Sequence, residues 1–336
     1  MLCHGFLTLA ILVLVLTGIS AGVPVAQAAP VVGYAWTEIA PPSHVTDDLW
    51  TTPVWDPSLG HVIAVSQNST GSLRLYELIG VHWTDLGVPL PSIFETNFYP
   101  GCEWYPASQP YMTYDSSDRY LLLIDYSDCN VLAWKLVSHH WAPLPSKNPP
   151  PLFSGDAFPL SIYDPSDGEF FLYAGDFGGC DCMTQYIYGY HAGVWRQFSN
   201  IPGGADDFGF VYSPALQEVV ILNDLENAWT LHSNQWSRMW FHPPVYFTNS
   251  EPDGYDPGIH AIVITGDMYD NGCPGECMWL WEDGTNHFVN ITATTTNPSV
   301  ACDFAFTDPG LSGLVCAGST SPYTEPSSLW EFTATT

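Results

Sequence analysis

The chain has 336 residues, with 35 Asp and Glu against 6 Lys and Arg, and a formal net charge of −29. A surface so poor in cations cannot neutralise phosphates, which excludes nucleic acid and anionic lipid as partners. Charged residues are only 12% and aromatics 15%, so the imbalance is a scarcity of cations more than an excess of acids. It suits either an ordinary secreted acidic protein or one working at acid pH, where most carboxylates are neutral.

In chain order, the first feature is "GFLTLAILVLVLTGISAGVPVAQAAP", apolar from Phe6 to Leu16 apart from Thr8. Small residues follow, then Ala26-Gln27-Ala28, an A-x-A cleavage pattern. Residues 1–28 therefore read as a secretory signal. The alternative is an uncleaved N-terminal anchor, because Phe6 to Val23 is about long enough to cross a bilayer. Both readings make the rest extracellular, secreted or at the cell surface, and membrane contact is expected only through that anchor.

Residues 30–336 read as one domain, because a single pattern recurs along them. An aromatic residue, a polar turn and an apolar run appear in "VWDPSLGHVIAV", "TYDSSDRYLLLI", "IYDPSDGEFFLY", "VYSPALQEVVIL", "GYDPGIHAIVIT" and "AFTDPGLSGLVC". The turn residues are Asp56, Asp115, Asp164, Ser213, Asp256 and Asp308, which makes six units of roughly fifty residues. Each unit continues with a second aromatic-rich run: "LRLYEL", "VLAWKL", "YIYGYH", "AWTLHS", "MWLWED" and "SLWEFT". A Trp follows at Trp83, Trp141, Trp195 and Trp236, with Phe288 in unit five. Short β-branched and aromatic runs bounded by Pro, Gly, Asn and Asp are strands. Four per unit, six times over, predicts an all-β fold: a six-bladed β-propeller of four-stranded blades. Unit six has no such Trp. "YAWTEIAPP" near the N-terminus resembles the outer strands of units one and two, so the strand around Trp36 is expected to complete the last blade by pairing with residues 328–335.

The unit resembles a kelch repeat, with its Tyr and Trp positions matched over about 300 residues. The family's double glycine instead reads Gly175-Asp176, Gly266-Asp267 and Gly318-Ser319, with Ile124-Asp125 and Asn223-Asp224 in units two and four. The resemblance implies a binding scaffold with no shared catalytic residues.

Cys3 falls in the signal, which leaves eight cysteines, an even number suited to disulfides outside the cell. Cys302 and Cys316 centre on the turn "TDPGLSG", and Cys102 and Cys129 centre beside Asp115. Both pairs are expected to lie opposite one another across a hairpin. Cys180 with Cys182, and Cys273 with Cys277, are local pairs. A zinc site needs two such knuckles together in space. These two belong to units three and five, so disulfides are preferred. Asn68-Ser-Thr70 and Asn290-Ile-Thr292 are glycosylation sequons.

Asp125, Asp176, Asp224 and Asp267 stand ten to twelve residues after their turn residues, near the end of the second strand of four successive blades. With the second strand placed near the channel, four carboxylates would ring one mouth. Clustered carboxylates raise each other's pKa and a divalent cation relieves the repulsion, so calcium is the one cofactor suggested. The competing reading is that each Asp caps a turn. On the same face, "SIFETNFYPGCEWYPASQP" (92–110) brings Phe94, Phe98, Tyr99, Trp104 and Tyr105 beside that mouth. Aromatic rings with carboxylates suit a carbohydrate; an extracellular protein is the other partner expected. His139-His140, in a turn, reads as solvated. Catalytic motifs are lacking: there is no Gly-x-Ser-x-Gly, His-Glu-x-x-His or phosphate loop. The sequence thus favours a binding module over an enzyme. A glycan-active hydrolase remains the alternative, since two well-placed carboxylates suffice for that chemistry.

Overall fold

The structure is a computed structural model that describes residues 33–47, 49–91, 110–127, 130–150, 160–176, 184–198, 208–223, 227–232, 235–239, 252–267, 276–285, 287–296, 300–311, 313–319 and 327–335. All lie in the unit Val31–Thr336, one of the two into which the chain divides; the other is Met1–Pro30. No helix among the described residues is long and apolar enough to cross a membrane.

The first strand, β1 (Gly33–Ala40), leads through a short helical turn, α1 (His44–Asp47), into blade one. That blade is β2 (Val54–Asp56), β3 (His61–Gln67), β4 (Leu73–Ile79) and β5 (His82–Pro89). Blade two is β6 (Tyr111–Asp115), β7 (Tyr120–Ser127), β8 (Asn130–Val137) and β9 (His140–Pro143). Blade three is β10 (Leu160–Asp164), β11 (Glu169–Asp176), β12 (Thr184–His191) and β13 (Val194–Gln197). Blade four is β14 (Phe208–Ser213), β15 (Glu218–Asn223), β16 (Asn227–His232) and β17 (Gln235–Arg238). Blade five is β18 (Pro252–Asp256), β19 (Ala261–Asp267), β20 (Glu276–Glu282) and β21 (Phe288–Asn290). A two-residue strand, β22 (Thr295–Thr296), precedes β23 (Ala301–Thr307), β24 (Leu314–Ser319) and β25 (Ser328–Thr335).

Each of the first five sheets runs in chain order, and the sixth runs β22-β1-β25-β24-β23. The expected closure is therefore present. Trp36 lies across from Phe332 and Gly33 across from Thr335, antiparallel. The first strands touch in a closed cycle, β2 to β6, β10, β14, β18, β23 and back to β2. They, and not the second strands, are innermost. This corrects the placement expected from sequence by one strand.

Both faces of each sheet pack on neighbouring blades, so the second strands are apolar on consecutive residues instead of alternating. Val62–Val65, Leu121–Ile124 and Val219–Leu222 are all buried. The core is divided into six apolar clusters, one per interface between neighbouring blades. At the closure, Val62, Ala64 and Tyr76 of blade one meet Phe306, Val315 and Leu329 of blade six, with Val45 and Leu49 filling the junction. The repeated aromatics sit on the outer strands as expected. Trp36 and Trp195 are fully buried, and Trp195 Nε1 donates to Ser146 Oγ of blade two at 3.1 Å.

One feature was not anticipated. β22 pairs parallel to β1, with Thr295 beside Tyr34, and Lys147 bridges parallel to Val194 in blade three. In both places the chain leaving one blade runs along the outer strand of the next, shielding an edge that would otherwise invite another strand.

Candidate functional site

The repeat's turn residues gather on one face, where they close the hairpins between first and second strands. Asp56 Oδ1 accepts the amides of Ser58 and Leu59 at 2.7 and 3.3 Å. Asp115 Oδ1 accepts Ser117 and Asp118 at 2.9 and 3.0 Å. Asp164 Oδ1 accepts Ser166 and Asp167, and Asp256 Oδ1 accepts Gly258 and Ile259. Asp308 accepts Gly310 at 2.8 Å. A carboxylate one methylene from the backbone reaches its own turn amides, which is why Asp starts these turns. In five blades the turn residue pairs with the residue five further on. The position just before that partner has positive φ at Gly60, Arg119, Gly168, Gln217 and His260.

These turns also join blades, a role the repeat pattern did not disclose. Asp115 Oδ1 accepts the Tyr163 hydroxyl of blade three at 2.9 Å. Asp256 Oδ2 accepts the Leu314 amide of blade six at 3.2 Å. Asp256 is fully buried, and burial raises its pKa above the ordinary carboxylate value, partly offset by these amide bonds. Where blade four has Ser213 in place of Asp, the neighbouring blade supplies the carboxylate. Asp283 of blade five accepts the Ser213 hydroxyl and, at 3.0 Å, the Ala215 amide. The carboxylates that close these turns are thus occupied by the protein's own donors.

The opposite face is built differently. First strands run toward the turn face and second strands away from it, so the links between second and third strands, and those between blades, emerge opposite the turns. The inter-blade links are long: residues 90–110, 144–159, 198–207, 239–251 and 291–300. The first hairpins on the other face are 57–60, 116–119, 165–168, 214–217 and 257–260. Asp176 and Asp267 are the last residues of β11 and β19, and Asp125 lies two residues before the end of β7. Asp125 is buried; the side chains of Asp176 and Asp267, and all of Asp224, lie outside the described residues. By strand pairing, Asp125, Asp267 and Asp176 are the sixth, seventh and eighth residues of their second strands, counted from the turn. Among the described residues no three His, Cys, Asp or Glu come together as a metal site. Phe94, Phe98, Tyr99, Trp104 and Tyr105 also lie outside the described residues.

Both sequons reach this face. Asn68 Oδ1 accepts the Thr70 and Ser72 amides at 3.0 and 2.9 Å. Exposed Asn290 accepts the Thr292 amide at 3.0 Å. Cys302 and Cys316 are bonded, with Cα atoms 5.5 Å apart. They are not directly opposite as expected: Cys302 pairs with Gly318 and Cys316 with Ala305, and a bulge between Cys302 and Phe304 brings the two sulfurs together diagonally. Cys102, Cys129, Cys180, Cys182 and Cys273 lie outside the described residues, as does the side chain of Cys277.

Blade three carries a recess of about 580 Å³ lined by Asp167, Glu169, His191, Ala192, Val194 and Arg196. Glu169 is 1% exposed. Arg196 Nε donates to its Oε1 at 2.7 Å and Nη2 donates to its Oε2. Glu169 and then Asp167 raise the Arg196 pKa. The guanidinium lies over the Phe198 ring, 4.7 Å from its centroid. Among the described residues this is the one ion pair made by a Lys or Arg. Sequence reasoning missed it, because its two residues are neighbours only through strand register.

No protein-family model matches the chain, and no curated protein matches it. Among solved structures, AofleA from Arthrobotrys oligospora is similar at 10% identity, covering 85% of this chain and 83% of that one, with a TM-score of 0.47. A variant of Aleuria aurantia lectin in complex with Fucalpha1-6GlcNAc gives 11% identity, 87% and 97% coverage and a TM-score of 0.43. YCF48 from Cyanidioschyzon merolae gives 9% identity, 89% and 98% coverage and a TM-score of 0.49. The propeller assignment stands on this chain's own strand order and ring of contacts, and these similarities add nothing about activity.

Proposed function

We propose that this is a secreted, kelch-type β-propeller that acts as a binding module, taking an extracellular glycan, or a protein, on the face opposite the turns. The observation that carries the reading is the unequal length of the connections. One face is closed by tight, self-satisfied turns, and the long inter-blade links start and end on the other. Long links on a rigid frame are where binding residues concentrate. In this reading Asp125, Asp176, Asp224 and Asp267 border that surface, with calcium as the cation they would hold. Phe98, Trp104 and Tyr105 supply its aromatic part. The Cys302–Cys316 bond supports an oxidising, extracellular location, and the signal reading of residues 1–28 agrees with it.

The test is a glycan array probed with the chain from Val31 onward, with and without calcium. Retention of a defined glycan, lost on Trp104→Ala with Tyr105→Ala, is the expected result. Calcium should raise Tm by mass action, and Asp176→Asn with Asp267→Asn should abolish that rise. An empty array, or retention unchanged in the aromatic variant, overturns the glycan reading. An unchanged Tm with calcium leaves the acidic residues as turn caps.

A further inference from the structure

The recess on blade three lies at its turn end, where Lys147 of the link from blade two runs beside Val194, and does not rest on the reading above. In a repeat protein, equivalent positions answer equivalent structural demands, so a local set of coordinated departures calls for its own cause. The position after the turn is His61, Tyr120 and Ala261 in blades one, two and five, and Glu in blades three and four, Glu169 and Glu218. The position after the outer-strand aromatic is Thr84, Ala142, Ser237 and Val289, and Arg196 here. The residue paired with that one is Glu77, Lys135, Thr230 and Leu280, and Gly189 here.

Arg196 and Gly189 are the departures, and both touch Glu169. A Cβ on Gly189 would come within 2.1 Å of Glu169 Oε1 and 2.5 Å of the Phe198 ring. The glycine is what lets the carboxylate lie beneath the guanidinium. Blades one, two, four and five stand without this arrangement, and an ion pair that buries a carboxylate is a poor way to add stability. What the pair does achieve is to fix an arginine in place. With Nε and Nη2 committed to Glu169, Nη1 takes no part in the pair and the side chain is still 55% exposed.

The rest of the lining indicates what the arginine meets. Exposed Asp167 offers acceptor oxygens. His191 Nδ1 donates to the Gly168 carbonyl at 2.6 Å, which in the neutral ring leaves Nε2 an acceptor. Val194 is 41% exposed and, with Ala192, adds apolar surface. Two carboxylates against one guanidinium make the recess net negative, which disfavours an anion. Alternating fixed donors and acceptors beside a small apolar patch match a ring bearing several hydroxyls and a C–H face. We infer that this recess binds a neutral monosaccharide unit, with Arg196 donating to one hydroxyl oxygen and Asp167 accepting from a neighbouring hydroxyl.

The experiment is saturation-transfer NMR and titration of the protein with methyl glycosides of common neutral pyranoses, and with glucuronic acid as the anionic counterpart. At least one neutral glycoside should bind saturably, and glucuronate at least tenfold more weakly than methyl glucoside. Asp167→Asn, an exposed change that leaves the ion pair intact, should weaken binding about tenfold. Val194→Trp, at an exposed side chain, should block the recess and abolish binding with Tm unchanged. Trp104→Ala with Tyr105→Ala, on the other face, should leave it unaffected. No binding of any neutral glycoside, binding that survives Val194→Trp, or a preference for glucuronate would overturn the inference. Loss of binding only in the Trp104 and Tyr105 variant would assign the sugar to the long-connection face instead.

Discussion

The two faces of the propeller solve the same problem, turning a strand back on itself, in opposite ways. On the turn face a single Asp or Ser per blade satisfies its own amides, and at three blade junctions reaches a neighbour as well. On the other face the chain takes ten or more residues between blades. The comparison teaches that one face is held by short turns that cap themselves, while the other is given long stretches of chain. Mutational sensitivity should divide accordingly.

The largest effect should come from Asp256→Ala. It leaves the amides of Gly258, Ile259 and Leu314 without their acceptor in a buried site, at about 3 kcal/mol or more. Denaturant midpoints would measure it, and a loss below about 1 kcal/mol would show that the turn face is not held this way. Next, Ser213→Ala and Asp283→Ala should each cost about 1–2 kcal/mol. Their double mutant should cost clearly less than the sum, because both remove one tie between blades four and five. Additive losses would mean that the tie is not energetic.

Smaller again is a pH effect at Asp256. Its folded-state pKa lies above the unfolded value, so the folded state binds the proton more tightly. The ionised form therefore carries a penalty at neutral pH. That penalty is relieved as pH falls through the folded pKa toward the unfolded value of about 3.9. Thermal scans between pH 7 and 4 should show the parent gaining on Asp256→Asn as the pH drops; a gap that moves the other way would refute the burial argument. Smallest is Gly60→Ala. An added Cβ meets nothing within 4 Å, so the cost is that of a positive φ alone, about 1 kcal/mol.

How much of this was legible follows from distance along the chain. The six units and the closing strand could be read because Asp turns, apolar second strands and outer-strand aromatics are local patterns, and locality survives in one dimension. Asp283 standing in for the carboxylate missing at Ser213 could not be read, since the two lie on different blades and meet only after the ring forms. Glu169, Gly189 and Arg196 were hidden for the same reason: each is unremarkable in its own strand, and their meaning lies in register. The cysteine symmetry located the Cys302–Cys316 bond but not its diagonal, because a bulge shifts pairing without leaving a compositional mark. The inner position given to the second strand was wrong by one strand. An apolar run signals burial on both faces, and here that burial comes from neighbouring blades and not from the axis.

The pairing of β1 with β25 has a consequence for how the protein is made. Trp36 emerges from the ribosome early, and its partner Phe332 follows roughly 300 residues later, a contact of very high order. Through most of synthesis β1 has no ladder to join, because β23, β24 and β25 of blade six are made last. Order of synthesis and order of closure are therefore opposed, and the ring cannot lock one blade at a time to completion. The same adjacency of Gly33 and Thr335 makes the molecule a natural candidate for circular permutation. Joining those ends and reopening the chain within residues 90–110 would turn the long-range clasp into an ordinary hairpin, and should speed folding while leaving the finished ring unchanged.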